Sequence, residues 1–347
     1  SLGAFILPLL AQRIKIPGIV LEIAYGITVG PILGIVETSE FISGLAILGF
    51  LLLMFLSGFE IELETFREKG LSTLALPMSI YLLTVGTSFY LISSLGYPIF
   101  LALVLCTTSV DIVITILRSD DTIKTNYGQT LFMVALLADI LTLLAATVYA
   151  SFIRAGGLSL SNLNVVLYFI VVILILRIIR RVAWWNPQLF SRMFDGNDPD
   201  ELGIRSSLAL MLTLVGVSVI FDIEPILGAF LAGTIFAFIF SNRGTLESSL
   251  KGFSYGFLIP IFFINIGLNY DISVFSETQF FVEVGYLFLI AGGFLLSARF
   301  TLIIAMAEIG VHLDLITVEL EQQIILLAVI TATFSPILFR IFRSKTT

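Results

Sequence analysis

Long apolar runs alternate with short polar connections along the whole chain. A helix rises about 1.5 Å per residue, so roughly 20 apolar residues cross the hydrocarbon layer of a bilayer. Runs of this length predict transmembrane α-helices, of which the short run 300–316 is the weakest. The predicted spans are 1–13, 17–35, 41–59, 71–95, 98–117, 128–153, 163–182, 203–221, 224–240, 252–270, 280–298, 300–316 and 321–342. The pattern therefore predicts an all-α polytopic membrane protein with about 13 transmembrane helices.

Basic residues gather in every second connection between these spans. Arg67, Lys69 and Arg118 belong to this series, whereas the alternate connections contain Arg154 as their basic residue. Cytoplasmic loops of membrane proteins carry an excess of Lys and Arg. The alternation predicts a cytoplasmic C-terminus and an N-terminus outside, with the first span trimmed at its start.

Composition narrows the class of protein further. Of the 347 residues, 58% are hydrophobic and 12% charged, and the mean hydropathy is +1.07. That is too little charge to cover a water-soluble fold. The net charge of -7 is spread along the chain, so no nucleic-acid surface is indicated. No metal-ligand spacing, phosphate-binding glycine loop or nucleophile–base pair is visible, so neither an enzyme nor a cofactor is predicted.

Ionisable residues inside predicted spans are the candidate functional groups, because charge in a bilayer is costly. Asp139 lies near the centre of 128–153 and Asp111 lies within 98–117, while Glu22 is a weaker case near a span end. Two carboxylates at mid-depth on neighbouring helices offer hard oxygen ligands to a small cation and also accept protons. The alternative is that each is a hydrogen-bonded packing residue.

Three consecutive hydroxyl residues precede Asp111. Thr107, Thr108 and Ser109 weaken helix preference because their side chains compete for backbone groups. A broken helix at membrane depth is tolerated where it lines a cavity and binds ions. The alternative interpretation is that these hydroxyls bond back to the preceding turn of an unbroken helix.

Several segments, taken in order, resemble the monovalent cation:proton antiporter family, in particular its Kef-type and sodium–proton antiporter branch. The resembling segments are 12–17, 22–31, 52–61, 108–110, 227–233 and 260–268. The resemblance implies two inverted repeats with broken crossing helices. It also implies that 1–347 is a single antiporter domain. In that domain, helices of about 71–153 and 224–342 form a transport core, and the rest form a scaffold and a dimer interface.

The resemblance also implies roles for individual residues. Asp139 falls on the family's ion-binding carboxylate, and Thr108 and Ser109 fall on its unwound crossing helix. Ala138 precedes Asp139 where other members carry Asp, Asn or Gln, which resembles the single-carboxylate, electroneutral class without its polar neighbour. Asp111 stands where the family usually has a small residue, and the hypothesis is that it supplies a replacement ligand.

Arg299 has two open interpretations. The stretch 299–319 is shorter than the family pattern. If the region is merely abridged, Arg299 matches the family's intramembrane basic residue, which pairs with a carboxylate. If the chain turns there, Arg299 is a cytoplasmic loop charge.

The function expected from these features is exchange of Na+ or K+ for protons, electroneutral and by elevator-type alternating access. The binding groups would be Asp139, Asp111, Thr108 and Ser109, with Arg299 as a possible charge partner. A homodimer in a bacterial or archaeal cell membrane is implied, with a cytoplasmic regulatory domain or subunit outside this chain. The alternative is a cation channel or sensor-like protein on the same scaffold without coupled exchange.

Overall fold

The structure of the protein is a computed structural model. It describes residues 6–8, 10–11, 13, 17–60, 74–119, 122–123, 125–154, 156–157, 163–186, 201–239, 244–276, 278–291 and 301–343. Across these ranges the regular secondary structure is helical and contains no strand. The predicted all-α fold class is therefore confirmed.

Fourteen α-helices are numbered here in chain order. They are α1 (Gly18–Ile27), α2 (Glu40–Phe59), α3 (Ala75–Ser94), α4 (Ile99–Val104), α5 (Val110–Ser119), α6 (Asn126–Arg154), α7 (Leu163–Trp185), α8 (Leu202–Ile220), α9 (Pro225–Ile239), α10 (Gly244–Phe253), α11 (Ile259–Leu268), α12 (Thr278–Ala291), α13 (Thr301–His312) and α14 (Val318–Arg343). A π-helical turn, Thr28–Ile32, extends α1, and a second, Ser254–Leu258, joins α10 to α11.

The helices follow the predicted spans closely, with two differences. The predicted span 98–117 is divided into α4 and α5. The predicted span 252–270 begins earlier, at Gly244. The polar helix Gly244–Phe253 precedes the apolar run and leads directly into it. The weak segment 300–316 does contain a separate helix, α13.

Among the residues that the structure describes, six helices are long and apolar enough to cross a membrane. They are Glu40–Phe59, Ala75–Ser94, Asn126–Arg154, Leu163–Trp185, Leu202–Ile220 and Leu246–Leu268. Gly18–Ile32, Pro225–Ile239 and Thr301–His312 are shorter and also apolar. The total of 13 crossings stays a prediction, as does the direction in which each helix crosses.

The chain forms two compact units. The first comprises Ser1–Ala4, Thr38–Thr65 and Thr147–Ile266. Its centre is the pair α2 and α9, which approach so closely that a Cβ at Gly58 would overlap the Phe230 carbonyl. A Cβ at Gly233 would likewise overlap the Phe55 carbonyl. Small residues allow this backbone approach, in which packing and weak contacts replace a hydrophobic driving force.

Three ion pairs lie at the ends of helices in this first unit. The Arg154 guanidinium, at the end of α6, pairs with the Glu224 carboxylate just before α9. The Lys251 ammonium pairs with Glu60 at 2.6 Å and with Glu247, one turn away on the same helix, at 3.0 Å. The pairs of Arg154 with Glu224 and of Lys251 with Glu60 join segments that are distant in sequence, so they fix how the helices meet.

The second unit comprises Phe5–Glu37, Phe66–Ala146 and Gly267–Thr347. It contains α3, α4, α5 and most of α6, together with α1, α12, α13 and α14. Helix α13 is buried along most of its length, and Gly310 on it lies against the Phe100 ring of α4. The predicted division into a core of about 71–153 and 224–342 and a scaffold stays a prediction.

Candidate functional site

The candidate site is built around the interruption between α4 and α5 in the second unit. Pro98 precedes α4, which ends at Val104, and residues 107–109 belong to no helix. Helix α5 starts where the Ser109 carbonyl accepts a hydrogen bond from the Val113 N–H at 3.1 Å. A buried interruption of this kind leaves helix-end N–H and C=O groups free to bind other groups. The predicted broken helix is therefore present.

The hydroxyl of Thr107 behaves as the alternative interpretation expected. It donates to the Val104 carbonyl at 2.8 Å, so this residue bonds back to the preceding turn. That bond satisfies one carbonyl at the end of α4. The helix is thus broken, although one hydroxyl of the run also bonds back to the preceding turn.

Ser109 stands at the N-cap position of α5 and is 1% exposed. An N-cap serine ordinarily accepts a hydrogen bond from its own helix. Here the buried Oγ has no hydrogen-bond partner within the described ranges. A buried hydroxyl without a partner is costly, so this oxygen is available to a ligand.

Asp139 lies on α6, and its carboxylate meets the same interruption. The backbone groups of Thr108 and Val110 hydrogen-bond to it, and these two residues flank Ser109. The Val110 N–H belongs to the first turn of α5, where the helix dipole favours an anion. The second oxygen, Oδ1, is buried and has no hydrogen-bond partner among the described residues. The carboxylate is thus held by one helix end and keeps one oxygen free.

A hydroxyl pair braces this region one helical turn from Asp139. The Tyr81 hydroxyl on α3 and the Thr142 hydroxyl on α6 are 3.1 Å apart. Tyr81 is 5% exposed and Thr142 is fully buried. Tyr81 therefore links α3 to α6.

The structure brings together three of the predicted site residues, Asp139, Thr108 and Ser109. Thr108 contributes through its backbone and is 4% exposed. Asp111 lies in the first turn of α5, but its side chain falls outside the described residues, as does Arg299 altogether. Their predicted roles stay predictions.

Two acidic residues of the second unit were missed by reasoning from the sequence. Glu308 is the one acidic residue in α13 and is exposed although the helix around it is buried. Its carboxylate interacts with that of Glu321 on α14. The signal that could have identified Glu308 in the sequence is its single negative charge in an otherwise apolar segment. Glu22, noted as a weaker candidate, is 5% exposed, and its Oε2 has no partner.

The oxygen donors at the interruption suit a small hard cation. They are the Asp139 carboxylate and the Ser109 hydroxyl. Carboxylate, hydroxyl and carbonyl oxygens are the ligands of such cations. Among the described residues, no group of three or more His, Cys, Asp or Glu side chains is placed to hold a metal ion.

The chain is similar in sequence to a known family and to several of its named members. The profile of the family "Sodium/hydrogen exchanger, transmembrane" matches residues 1–343. The chain is 30% identical to the putative Na+/H+ antiporter YjbQ of Bacillus subtilis, over 97% of the chain and 61% of that protein. It is 28% identical to the probable Na+/H+ antiporter 3 of Methanocaldococcus jannaschii, over 98% of the chain and 94% of that protein.

The fold resembles a solved structure as well. The sodium proton antiporter MjNhaP1 of Methanocaldococcus jannaschii, at pH 8, matches with a TM-score of 0.69. The match covers 96% of this chain and 92% of that one at 15% sequence identity, so it speaks for the fold alone. The family match, the apolar helices and this architecture agree with one another. The chain is an integral membrane protein that belongs to the sodium/hydrogen exchanger family, a family of transporters rather than enzymes.

Proposed function

We propose that this protein exchanges a monovalent cation, Na+ or K+, for protons, and that Asp139 binds the two in turn. The observation that carries the proposal is the free Oδ1 of Asp139. It is buried at a helix interruption and has no hydrogen-bond partner in the part of the chain that the structure describes. The family and the named Na+/H+ antiporters among its relatives support the same chemistry.

Competition at one carboxylate explains how the two fluxes become coupled. The backbone groups of Thr108 and Val110 hold the ionised carboxylate in place. A cation neutralises that charge by binding Oδ1 and the Ser109 Oγ, whereas a proton neutralises it by bonding to an oxygen. Because the site is buried, the empty, charged form is costly to move through the membrane. Only the cation-loaded or the protonated form crosses readily, which is exchange.

The number of carboxylates at the site determines the proposed ratio of cations to protons exchanged. A single Asp139 binds one monovalent cation or one proton, so exchange is one for one and electroneutral. A titrating Asp111 would change this number. The choice between Na+ and K+ depends on the size of the cavity and on the number of ligands.

The movement that carries the ion is proposed to be of the elevator type, with the protein working as a homodimer. This part of the proposal follows from the resemblance to antiporters with crossing broken helices. The interruption between α4 and α5 supports it, because two half-helices that end at one ion can move with that ion as a unit.

The proposal is tested by transport into sealed proteoliposomes. We expect an imposed Na+ or K+ gradient to drive proton movement that a pH-sensitive dye reports inside the vesicles. The exchange should persist when K+ and valinomycin clamp the membrane potential, with Na+ as the driving ion. Asp139→Asn should abolish it. The matched control is Asp271→Asn, because Asp271 is exposed and bonded to Ser273 near the end of α11.

The same vesicles distinguish exchange from the channel alternative. A channel passes ions down their own electrochemical gradient and needs no counter-ion, so its flux would follow the clamped potential. Proton-coupled uptake that is intact in Asp139→Asn would refute the assignment of Asp139. Flux that depends on the potential and not on the opposing ion would refute exchange itself.

A further inference from the structure

Helix α7 exposes one continuous face along its whole length. The exposed positions recur at spacings of three and four residues, which is one stripe of an α-helix. Its opposite face holds the fully buried Tyr168 and the buried Val172. The exposed positions of α7 are Leu163, Val166, Leu167, Ile170, Ile173, Leu174, Arg177, Ile178, Arg180, Arg181, Val182, Trp184 and Trp185.

The chemistry of this stripe changes abruptly along the helix. From Leu163 to Leu174 it is aliphatic over about 17 Å. The next two turns carry three arginines, and the helix then ends with two tryptophans. Trp184 is 80% exposed and Trp185 is 61% exposed. An apolar stretch followed by basic residues and Trp is the order in which a membrane changes from hydrocarbon to headgroups.

The arginines on the stripe have no carboxylate partner within the part of the chain that the structure describes. The ion pairs there involve Arg154 and Lys251, not Arg177, Arg180 or Arg181. The Arg181 guanidinium lies over the Trp185 ring, 4.9 Å from its centroid. That contact positions a guanidinium that has one face on an aromatic ring and its N–H groups free.

We infer that the arginine and tryptophan end of α7 binds the headgroup of an anionic phospholipid. Planar guanidinium groups recognise phosphate oxygens in pairs. Arg177 lies about 12 Å from the helix end, yet a long side chain of this kind reaches the interface from within the hydrocarbon layer. The aliphatic turns before it would contact the acyl chains of the same lipid.

A second copy of this chain is the competing occupant of the stripe. In a symmetric contact between two copies through this face, the basic end of one α7 would meet basic or apolar surface of the other. Like charges brought together out of water are destabilising. Of the six candidate spans, Leu163–Trp185 is also the least buried. A lipid with an anionic headgroup complements both parts of the stripe.

The two tryptophans make the test specific. They are the only tryptophans of the chain, so intrinsic fluorescence reports on this site alone. The protein is reconstituted into phosphatidylcholine vesicles that contain a small fraction of acyl-brominated lipid, which quenches tryptophan on contact. The brominated lipid is either phosphatidylglycerol or phosphatidylcholine at the same fraction.

We expect the brominated anionic lipid to quench several times more than the brominated zwitterionic lipid, because each basic group near a membrane favours anionic lipid roughly fivefold. High salt should reduce the difference. In Arg177→Gln/Arg180→Gln/Arg181→Gln the two lipids should quench equally. Arg13→Gln, which removes an exposed arginine elsewhere, should retain the selectivity.

A charge-retaining variant separates headgroup binding from an effect on folding. Arg177→Lys/Arg180→Lys/Arg181→Lys keeps the positive charge, so it should still prefer the anionic lipid. Three results would overturn the inference. They are equal quenching in the unaltered protein, little quenching by either lipid because a second copy covers the face, and unchanged selectivity in the triple glutamine variant. Equal quenching by the two lipids is the result expected if acidic residues of the chain neutralise the three arginines.

Discussion

The Tyr81 and Thr142 hydroxyls lie 3.1 Å apart, one helical turn along α6 from Asp139. Both side chains are buried, so this bond joins α3 to the helix that carries the candidate carboxylate. Through this contact the angle at which α6 presents Asp139 depends on a residue that binds no ion itself.

Removing the tyrosine hydroxyl tests this bracing role. Tyr81→Phe leaves the buried Thr142 hydroxyl without its cross-helix partner, which costs about 1 kcal/mol. We expect a lower thermal midpoint in detergent and a several-fold higher KM for the cation at a nearly unchanged maximal rate. Tyr90→Phe is the matched control, since Tyr90 is on the same helix and 75% exposed. If both variants behave alike, Tyr81 does not position the site.

The free hydroxyl of Ser109 gives a second prediction. Its Oγ has no partner and does not cap α5, so Ser109→Ala should hardly change stability. It removes one ligand of the cation, and we expect the KM to rise about tenfold, as for a lost bond to a charged group. The measurement is the initial rate of proton movement against cation concentration.

Thr107→Ala is the contrasting variant. The Thr107 hydroxyl bonds to the Val104 carbonyl, so its loss should lower the thermal midpoint and leave the KM nearly unchanged. An unaltered KM in Ser109→Ala would remove Ser109 from the ligand set. A large rise in Thr107→Ala would mean that the cation site includes that hydroxyl.

The pH dependence of transport follows from competition at Asp139. A carboxylate binds a cation only when it has lost its proton. In the acidic range where the site is mostly protonated, each further unit of acidification should raise the apparent KM about tenfold. The maximal rate at saturating cation should change much less. Rates measured over a grid of pH and Na+ concentration check this, and a KM that does not vary with pH would exclude a shared site.

Removing Arg154 and removing Glu224 from their ion pair should destabilise the protein by different amounts. The Glu224 side chain is 7% exposed and that of Arg154 is 35% exposed. Arg154→Ala therefore leaves a buried carboxylate unpaired, and we expect it to destabilise the protein by about 2 kcal/mol, below the value for a fully buried pair. Glu224→Gln should cost less, because the arginine can reach water.

Thermal unfolding of the single and double variants measures this asymmetry. Arg154→Ala/Glu224→Gln should be more stable than Arg154→Ala alone, since the unpaired charge is gone. Arg205→Ala, at an exposed position of α8, should stay within about 0.5 kcal/mol of the unaltered protein. Equal losses for the two single variants would show that burial of Glu224 does not set the cost.

The order of polar and apolar residues along the chain predicts much of the architecture. The bilayer demands long apolar helices, so positions such as 40–59 and 202–220 could be located from hydropathy alone. The hydroxyl run at 107–109 also predicted the interruption between α4 and α5, because those side chains compete for the backbone. A charge in the middle of an apolar run likewise pointed to Asp139.

Tertiary structure decided which groups meet. The sequence treated Thr107 and Ser109 alike, yet one hydroxyl bonds back to α4 and the other stays free. The contacts of Asp139 with Thr108 and Val110, and of Tyr81 with Thr142, join helices far apart in sequence. Periodicity describes one helix at a time, whereas a binding site depends on the rotation and depth of several helices, which only their packing determines.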